Sequence, residues 1–246
     1  MTLLIDADYL IYSSCAACEY DRRWTCGNHT LDSHEDDVMV AIENKLAYYK
    51  KVAEDDHGVV MCFSSYPNFR HEIYPDYKIN RIGKRPPMAL KNTIALVKEK
   101  YTHECFTNLE GDDVLGILSN SKKYDDPIVV SPDKDMRTVP CKLIAKDDIE
   151  LITKRKANRS FMCQVLSGDP ADNYKGLEKV GSVTADKILG DAIELEDMWL
   201  KVTEAYKKKG HTIKDAILTA RLARILRHED EYDGLTGEVK LWNPKF

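Results

Sequence analysis

Short apolar runs that end in acidic residues recur along this 246-residue chain. The stretch Leu3–Asp6 is one, and Ile128–Val130 is another, followed closely by Asp133 and Asp135. Apolar runs of this length are typical of buried β-strands, and the stretches between them have the spacing of helices. Strands that alternate with helices predict an α/β fold with a mainly parallel sheet flanked by helices.

The densest acidic group is Glu110-Gly-Asp-Asp113, which precedes a short apolar run. Acidic residues in the first turn of a helix can simply be helix caps, with no further function. The recurrence of acidic residues after several predicted strands favours a binding site, because the carboxyl ends of parallel strands meet at one edge of the sheet. We therefore expect this group to converge with the other strand-end carboxylates and with Asp169 and Asp172. Carboxylates gathered in this way repel one another and need a cation.

Composition limits the class of protein. No run approaches the roughly 20 apolar residues of a membrane span, and the first predicted strand begins at Leu3, so we expect no membrane association. Seven cysteines, an odd number, fit reduced thiols in the cytoplasm better than a disulfide framework. Cys15, Cys18, Cys26 and His29 could be drawn as a zinc site, but a second CxxC pair is missing from the sequence.

The net charge of −5 does not exclude a nucleic-acid partner, because the basic residues form separate blocks. One block lies in a polar, proline-punctuated stretch that we interpret as a functional loop or short helical arch over about residues 66–90. Its members are Lys78, Arg81, Lys84, Arg85 and Lys91.

The β pattern ends near Asn158, and helical spacing follows. We therefore predict a sheet domain over residues 1–157 and a helical region over residues 158–246. The helical region includes Gly176-Leu-Glu-Lys-Val-Gly181, with a glycine at each end of a tight hairpin.

The order of these motifs resembles the 5′-nuclease family, which includes flap endonucleases and phage 5′→3′ exonucleases. The resemblance is greatest to the exonucleases of podophages, whose C-terminal pattern matches Ala223–Arg227 and Trp242. It rests on five motifs that occur here as Ile5-Asp-Ala-Asp-Tyr-Leu10, Tyr77-Lys-Ile-Asn-Arg81, Glu110-Gly-Asp-Asp113, Ser131-Pro-Asp-Lys-Asp135 and Gly168-Asp-Pro-Ala-Asp-Asn-Tyr-Lys-Gly176.

The resemblance implies a PIN-like sheet domain, a C-terminal helix-three-turn-helix appendage, and two divalent cations, Mg²⁺ or Mn²⁺. It assigns one ion to Asp6, Glu110 and Asp112, and the other to Asp113, Asp133, Asp135, Asp169 and Asp172. Asp6, Asp113, Lys78 and Arg81 would be catalytic. Two ions could hydrolyse a phosphodiester bond without a protein nucleophile.

The same resemblance implies DNA as the partner, at duplex 5′ ends, flaps or gaps, with RNA–DNA hybrids as a further substrate. It implies a monomeric 5′→3′ exonuclease, in the host cytoplasm if encoded by a phage, acting in phage DNA degradation, replication or recombination. Tyr77 would stack on a terminal base. The remaining implied DNA contacts are Lys78, Arg81, Lys84, Arg85, Lys175, Gly176, Lys179 and Gly181. The glycine hairpin would also accept K⁺, although Lys179 stands where the family often has glycine.

One departure from the family concerns the end of the second core strand. Relatives place an aspartate where this chain has Ser64-Ser65, and we expect Ser65 to mark the missing ligand. Asp8 could compensate, because Asp6 and Asp8 point to the same side if the strand continues.

Two other functions stay open. Asp6-Ala-Asp8 after a first strand also suits a haloacid-dehalogenase-type phosphatase, in which the first aspartate is the nucleophile. That reading leaves the glycine hairpin without a role, and trapping of an aspartyl-phosphate would identify it. A non-catalytic DNA-binding member of the fold is the other alternative, which a nuclease assay with and without Mg²⁺ would decide.

Overall fold

A computed structural model describes residues 1–54 and 58–244. The chain begins with β1 (Thr2–Asp6), α1 (Ala7–Ala17), β2 (Tyr20–Arg23), β3 (His29–Asp32), α2 (Glu35–Val52) and β4 (Gly58–Phe63). It continues with α3 (Phe69–Ile73), α4 (Leu90–Lys100), β5 (His103–Cys105), α5 (Gly111–Ser119), β6 (Pro127–Val130), β7 (Cys141–Ile144) and β8 (Ile149–Ile152). The last part contains α6 (Lys154–Ser167), β9 (Gly168–Asp169), β10 (Tyr174–Lys175), α7 (Ser182–Leu189), α8 (Leu195–Lys208) and α9 (Ile213–Ala223).

The centre of the molecule is a six-stranded sheet in the order β5-β4-β1-β6-β7-β8. Strands β5, β4, β1, β6 and β7 pair in parallel, and β8 pairs antiparallel to β7 at the edge. The predicted mainly parallel α/β sheet is therefore confirmed. Strand β1 lies between β4 and β6 and is buried on both faces, which explains its unbroken apolar run.

Helices cover both faces of this sheet. Leu3 and Ile5 pack in a cluster with residues of α1, α2 and α4. Leu4 points to the opposite face, where α5 packs together with Ile225 and Leu226 from the end of the chain. Gly116 in α5 allows this contact, because a Cβ there would lie 2.1 Å from the carbonyl oxygen of Leu226.

Helices α6 to α9 form a separate apolar cluster around Phe161, Trp199 and Tyr206. The predicted boundary after residue 157 falls inside α6, so the helical region begins with that helix at Lys154. The division into two domains stays a prediction, and residues 245–246 at the end of the predicted region lie outside the described residues.

Two further segments contain short elements. The predicted arch folds as α3 and a 3-10 turn at Ile79–Arg81, with Lys78 in the left-handed conformation at φ 55°. The hairpin β2–β3 was not predicted at all. Within the described residues, none of the helices is both long and apolar enough to cross a membrane.

Candidate active site

A cavity rich in carboxylates opens at the carboxyl ends of the parallel strands. The structure brings together there Asp6, Asp8, Glu110, Asp112, Asp133, Asp135, Asp169 and Asp172. Basic side chains stand along the same cavity, namely Lys78, Arg81, Lys84, Arg85 and Lys134. Groups that are more than 160 residues apart in sequence meet because β1 and β6 are neighbours and the turn after α6 folds back over their ends.

Asp6 is held at the junction of β1 and α1. It caps the helix, since the Tyr9 amide donates to its Oδ1 at 3.0 Å, and the Ser131 hydroxyl donates to its Oδ2 at 2.8 Å. Burial, together with the charges of Asp8 and Asp133, raises the pKa of Asp6 to about 6, although these hydrogen bonds favour its ionised form. These hydrogen bonds hold the carboxylate in place, but among the described residues no cation offsets the charges around it.

Asp112 and Asp135 lie in similar environments. Burial and the nearby charges of Asp6, Asp133 and Glu110 raise the pKa of Asp112 well above its usual range. Burial and Asp133 raise the pKa of Asp135 to about 7, even though the Gln164 amide donates to its Oδ2 at 2.8 Å. The negative charge of the cavity therefore exceeds the positive charge available to it.

Glu110 is the exception among these acids. Lys78 Nζ lies 2.5 Å from its Oε1, and Arg70 NH1 lies 3.3 Å from its Oε2. Burial raises the pKa of Glu110, but these two cations outweigh it and hold the pKa at about 2. Both oxygens are occupied, so Glu110 orients Lys78 at the cavity wall.

Two further basic residues of the cavity also have carboxylate partners. Arg81 NH2 lies 2.6 Å from Asp172 Oδ1, and Lys134 Nζ lies 3.0 Å from Asp169 Oδ2. These cations stand at the edge of the acidic group. An anion such as a phosphate could therefore replace the carboxylates as the partner of these cations.

The donors of the cavity suit a hydrated hard cation. In the described part of the chain, no three His, Cys, Asp or Glu side chains form a ready-made ligand group for one metal ion. Mg²⁺ keeps several of its waters and commonly takes only one or two protein carboxylates, so a preformed cage is not required. Because Asp6, Asp112 and Asp135 have raised pKa values, the uncompensated charge fits divalent cations.

Asp113 does not belong to this group, which corrects its assignment as a metal ligand and catalytic residue. Its side chain is fully buried, and Arg70 donates to both of its oxygens at 2.6 and 2.9 Å. The Leu226 amide also donates to it at 3.1 Å. Asp113 therefore joins α5 to α3 and to the C-terminal segment, with no oxygen left for a metal.

Tyr77 also differs from its expected role. Only 3% of the residue is exposed, and its hydroxyl donates to Glu110 Oε2 at 2.9 Å and to Asp172 Oδ2 at 2.8 Å. It is not available to stack on a base. Tyr9 and Tyr12 in α1 line the cavity instead, and each is 49% exposed.

Of the two serines after β4, the one at the cavity is not the one expected. Ser64 lines the cavity, whereas Ser65 donates its amide to the Leu109 carbonyl at 2.8 Å. The Ser64 amide donates to Asp8 Oδ2 at 2.9 Å. Asp8 lies in the first turn of α1 and not on an extended strand, yet it reaches the cavity beside this serine.

The four residues considered for zinc are not assembled into a site in the described chain. Cys15 is buried in α1 with its Sγ against the Thr93 hydroxyl, and Cys26 is exposed in the turn between β2 and β3. His29 lies against Asp21 at 3.1 Å.

The residues of the glycine hairpin line a second depression. Lys175, Gly176, Lys179 and Gly181 are all found there. Gly176 is required by packing, because a Cβ would lie 2.3 Å from the Gly168 amide nitrogen. Lys179 has φ 61°, a conformation that glycine adopts more easily.

Sequence reasoning missed Arg70, Lys134 and Gln164. Arg70 is the central one, because its Nε donates to the Leu222 carbonyl at 3.0 Å and its NH2 to the Arg224 carbonyl at 2.6 Å, in addition to its bonds with Asp113. A single arginine in a polar stretch carries no spacing signal. Lys134, between Asp133 and Asp135, could have been noticed as a cation inside an acidic motif.

Comparison with known proteins agrees with this architecture. The family described as "5'-3' exonuclease, N-terminal resolvase-like domain" matches residues 1–169. An exodeoxyribonuclease of Enterobacteria phage T3 is 27% identical over 288 aligned positions, covering 99% of this chain and 93% of the relative. An exonuclease of Escherichia phage T7 is 26% identical over 286 positions, covering 98% and 93%.

Solved structures share the fold. The T5 5′-exonuclease with bound zinc ions superimposes with a TM-score of 0.60 at 15% identity, covering 93% of this chain and 94% of that one. The bacteriophage T5 flap endonuclease in a complex with DNA and metal ions gives a TM-score of 0.58 at 14% identity, covering 90% and 92%. This chain belongs to the 5′-3′ exonuclease family that has the resolvase-like N-terminal domain.

Proposed function

We propose that the chain is a divalent-metal-dependent 5′→3′ exonuclease that hydrolyses phosphodiester bonds in DNA. The observation that carries this proposal is a cavity in which carboxylates with raised pKa values lie beside a row of basic side chains. Its acidic part suits divalent cations, and its basic part suits the phosphates of a DNA strand. The name of the T3 relative, an exodeoxyribonuclease, supports DNA as the substrate.

Carboxylates of the cavity would hold two Mg²⁺ or Mn²⁺ ions. Asp6 and Asp112 are the proposed ligands of one ion, and Asp133, Asp135, Asp169 and Asp172 are those of the other, directly or through water. Glu110 would act indirectly, by orienting Lys78. When bound, such ions supply an activated water and stabilise the leaving oxygen of an in-line displacement on phosphorus.

Lys78 and Arg81 are proposed to contact the scissile phosphate. Their partners Glu110 and Asp172 place them at the cavity wall, so little side-chain order has to be gained when DNA binds. Lys84 and Arg85 extend the same basic row along the cavity. Tyr9 and Tyr12 offer exposed rings to a base entering it.

The depression at the glycine hairpin is proposed to hold the duplex backbone. Lys175 and Lys179 supply positive charge, and Gly181 leaves its surroundings open, since a Cβ there would meet nothing within 4 Å. Backbone groups in this turn could also accept K⁺. The depression and the cavity are joined by the short segment from Asp169 to Lys175.

A digestion assay tests the proposal. The substrates are a 5′-labelled blunt duplex, a 5′ flap, a gapped duplex and an RNA–DNA hybrid, each with Mg²⁺, with Mn²⁺ and with EDTA. We expect short 5′-phosphorylated products from DNA only when a divalent ion is present, and loss of turnover with retained binding in Asp133→Asn. Binding without turnover by the parent protein in both metals would instead identify a non-catalytic DNA-binding member of the family.

A further inference from the structure

The hairpin β2–β3 has no buried face. Every residue from Tyr20 to Leu31 is exposed. An isolated two-stranded hairpin is only marginally stable in water, and adjacent exposed aromatic side chains, unlike single ones, can mark an interaction surface. Trp24 is 48% exposed and Tyr20 is 40% exposed.

One face of the hairpin presents planar groups in a row. Tyr20 and Arg22 are two residues apart in β2 and therefore point to the same face, and Trp24 continues this spacing. Arg22 pairs with Thr30 of β3. The Arg22 guanidinium carbon lies 5.9 Å from the centre of the Tyr20 ring and 5.6 Å from that of the Trp24 ring. The Trp24 indole donates to the Thr30 hydroxyl at 2.9 Å, which holds it on this face.

This face is linked to the rim of the acidic cavity. Glu19, directly before β2, accepts from Arg85 NH2 at 2.7 Å and from the Met88 amide at 2.6 Å. Arg85 lines the cavity. The hairpin and the basic row along the cavity are therefore tied together at one point.

We propose that the face formed by Tyr20, Arg22 and Trp24 is a stacking platform for single-stranded DNA beside the cavity. This inference rests on the proposed nuclease function. Aromatic rings bind the π-faces of bases without regard to sequence, and a guanidinium between two rings can take part in the same stack.

The charges of the hairpin favour stacking over phosphate contact. Arg22 Nε lies 2.6 Å from Asp32, and Arg23 Nε lies 3.5 Å from Asp21. Because both arginines are paired, few counterions are released when a strand binds. The platform should therefore contribute affinity that depends weakly on salt, unlike the lysines of the glycine hairpin.

The test compares Trp24→Ala with Leu31→Ala. Leu31 lies on the opposite face, opposite Asp21, so its variant is a control for damage to the hairpin. Binding is measured in EDTA, which prevents cleavage, by fluorescence anisotropy of two labelled DNAs. One is a blunt duplex, and the other is the same duplex with a 5′ oligothymidine extension. Quenching of tryptophan fluorescence by free oligothymidine is recorded in parallel.

We expect Trp24→Ala to lower the ratio of extension affinity to blunt-duplex affinity by roughly tenfold, since a stacked base contributes on this order. Leu31→Ala should keep the parent ratio. Oligothymidine should quench the parent and Leu31→Ala proteins, and the quenching should be lost in Trp24→Ala.

Three results would overturn the platform. They are an unchanged ratio in Trp24→Ala, an equal fall in both variants, and a Trp24-dependent dimer in sedimentation, which would show that the face binds another copy of this chain. Each leaves the nuclease proposal standing if the parent protein hydrolyses the blunt duplex in Mg²⁺. Absence of that hydrolysis would count against the nuclease proposal and not against the platform.

Discussion

Neighbouring aspartates in the acidic motif of α5 have opposite environments. Asp112 faces the cavity, where burial and other acids raise its pKa, whereas Asp113 is buried against Arg70. Consecutive residues of a helix point in directions about 100° apart, so one turn can serve both the cavity and the core. Chemical type alone therefore does not identify a metal ligand.

This difference predicts opposite effects of two substitutions on stability. Asp113→Ala removes the carboxylate that accepts two hydrogen bonds from the buried Arg70 and should lower the free energy of unfolding by about 3–5 kcal/mol. Asp112→Asn removes a charge that burial disfavours, so it should leave stability in EDTA unchanged or raise it while abolishing turnover. Urea unfolding and a nuclease assay measure the two quantities. Equal destabilisation by both variants would contradict the separate roles.

Asp8 is expected to tune the affinity for metal. Asp8→Asn keeps an oxygen that can accept from the Ser64 amide but removes one negative charge from the cavity. Since hard-ion affinity depends on ligand charge, we expect a several-fold higher Mg²⁺ concentration at half-maximal rate, with a smaller change in the saturated rate.

The control is Asp36→Asn in the exposed first turn of α2, which changes net charge without touching the cavity. A magnesium titration of the three proteins is the measurement. If Asp8→Asn has the midpoint of the control, Asp8 has no part in binding the ion. Ser64, and not Ser65, lines the cavity beside Asp8.

At the scale of elements, two segments are proposed to contact DNA in different ways. The 3-10 turn at Ile79–Arg81 and the preceding Lys78 form a wall of the cavity. Helix α3 precedes this wall in the chain, and Arg70 in α3 contacts α5 and the end of α9. The turn that holds Lys175 and Lys179 lies at the second depression. Under the proposed function, the first segment would act in the chemistry and the second would hold the duplex.

Kinetics should separate these segments. Lys78→Ala removes a cation that we propose contacts the scissile phosphate, so we expect a large fall in single-turnover rate with a small change in affinity. Lys175→Ala combined with Lys179→Ala should weaken duplex binding and reduce its salt dependence, because fewer counterions are released. The two measurements are the cleavage rate under single-turnover conditions and the affinity for duplex DNA at several salt concentrations. The assignment is wrong if both proteins show the same pattern.

At the scale of the whole molecule, the acidic cavity makes folding sensitive to pH and to divalent ions. Asp6 has a pKa of about 6 and Asp135 one of about 7, against an ordinary value of 3.8. Between about pH 4 and pH 7 the folded protein binds more protons than the unfolded chain. Without metal, stability should therefore fall as pH rises through that window.

Divalent cations should reverse this trend, because they bind the ionised carboxylates of the folded state. We expect the midpoint of thermal unfolding in EDTA to be lower at pH 8 than at pH 5.5, and Mg²⁺ to raise it more at pH 8. Calorimetry at both pH values is the measurement. An equal Mg²⁺ effect at the two pH values would show that the ions do not bind these carboxylates.

The sequence by itself determined the sheet and most of the acidic cavity. Apolar runs such as those of β1 and β6 predict parallel strands, and the geometry of such a sheet requires residues at their carboxyl ends to meet. This is why Asp6, Asp112 and Asp133 could be placed together from local pattern alone.

Only the tertiary structure decided which polar residues face the cavity and which serve the core. Asp113 and Tyr77 carry the same local signals as their neighbours, and their roles depend on Arg70 and Glu110, which reach them from other segments. Hairpin β2–β3 escaped prediction for a related reason. It buries no apolar face, so its sequence lacks the periodicity that marks core strands.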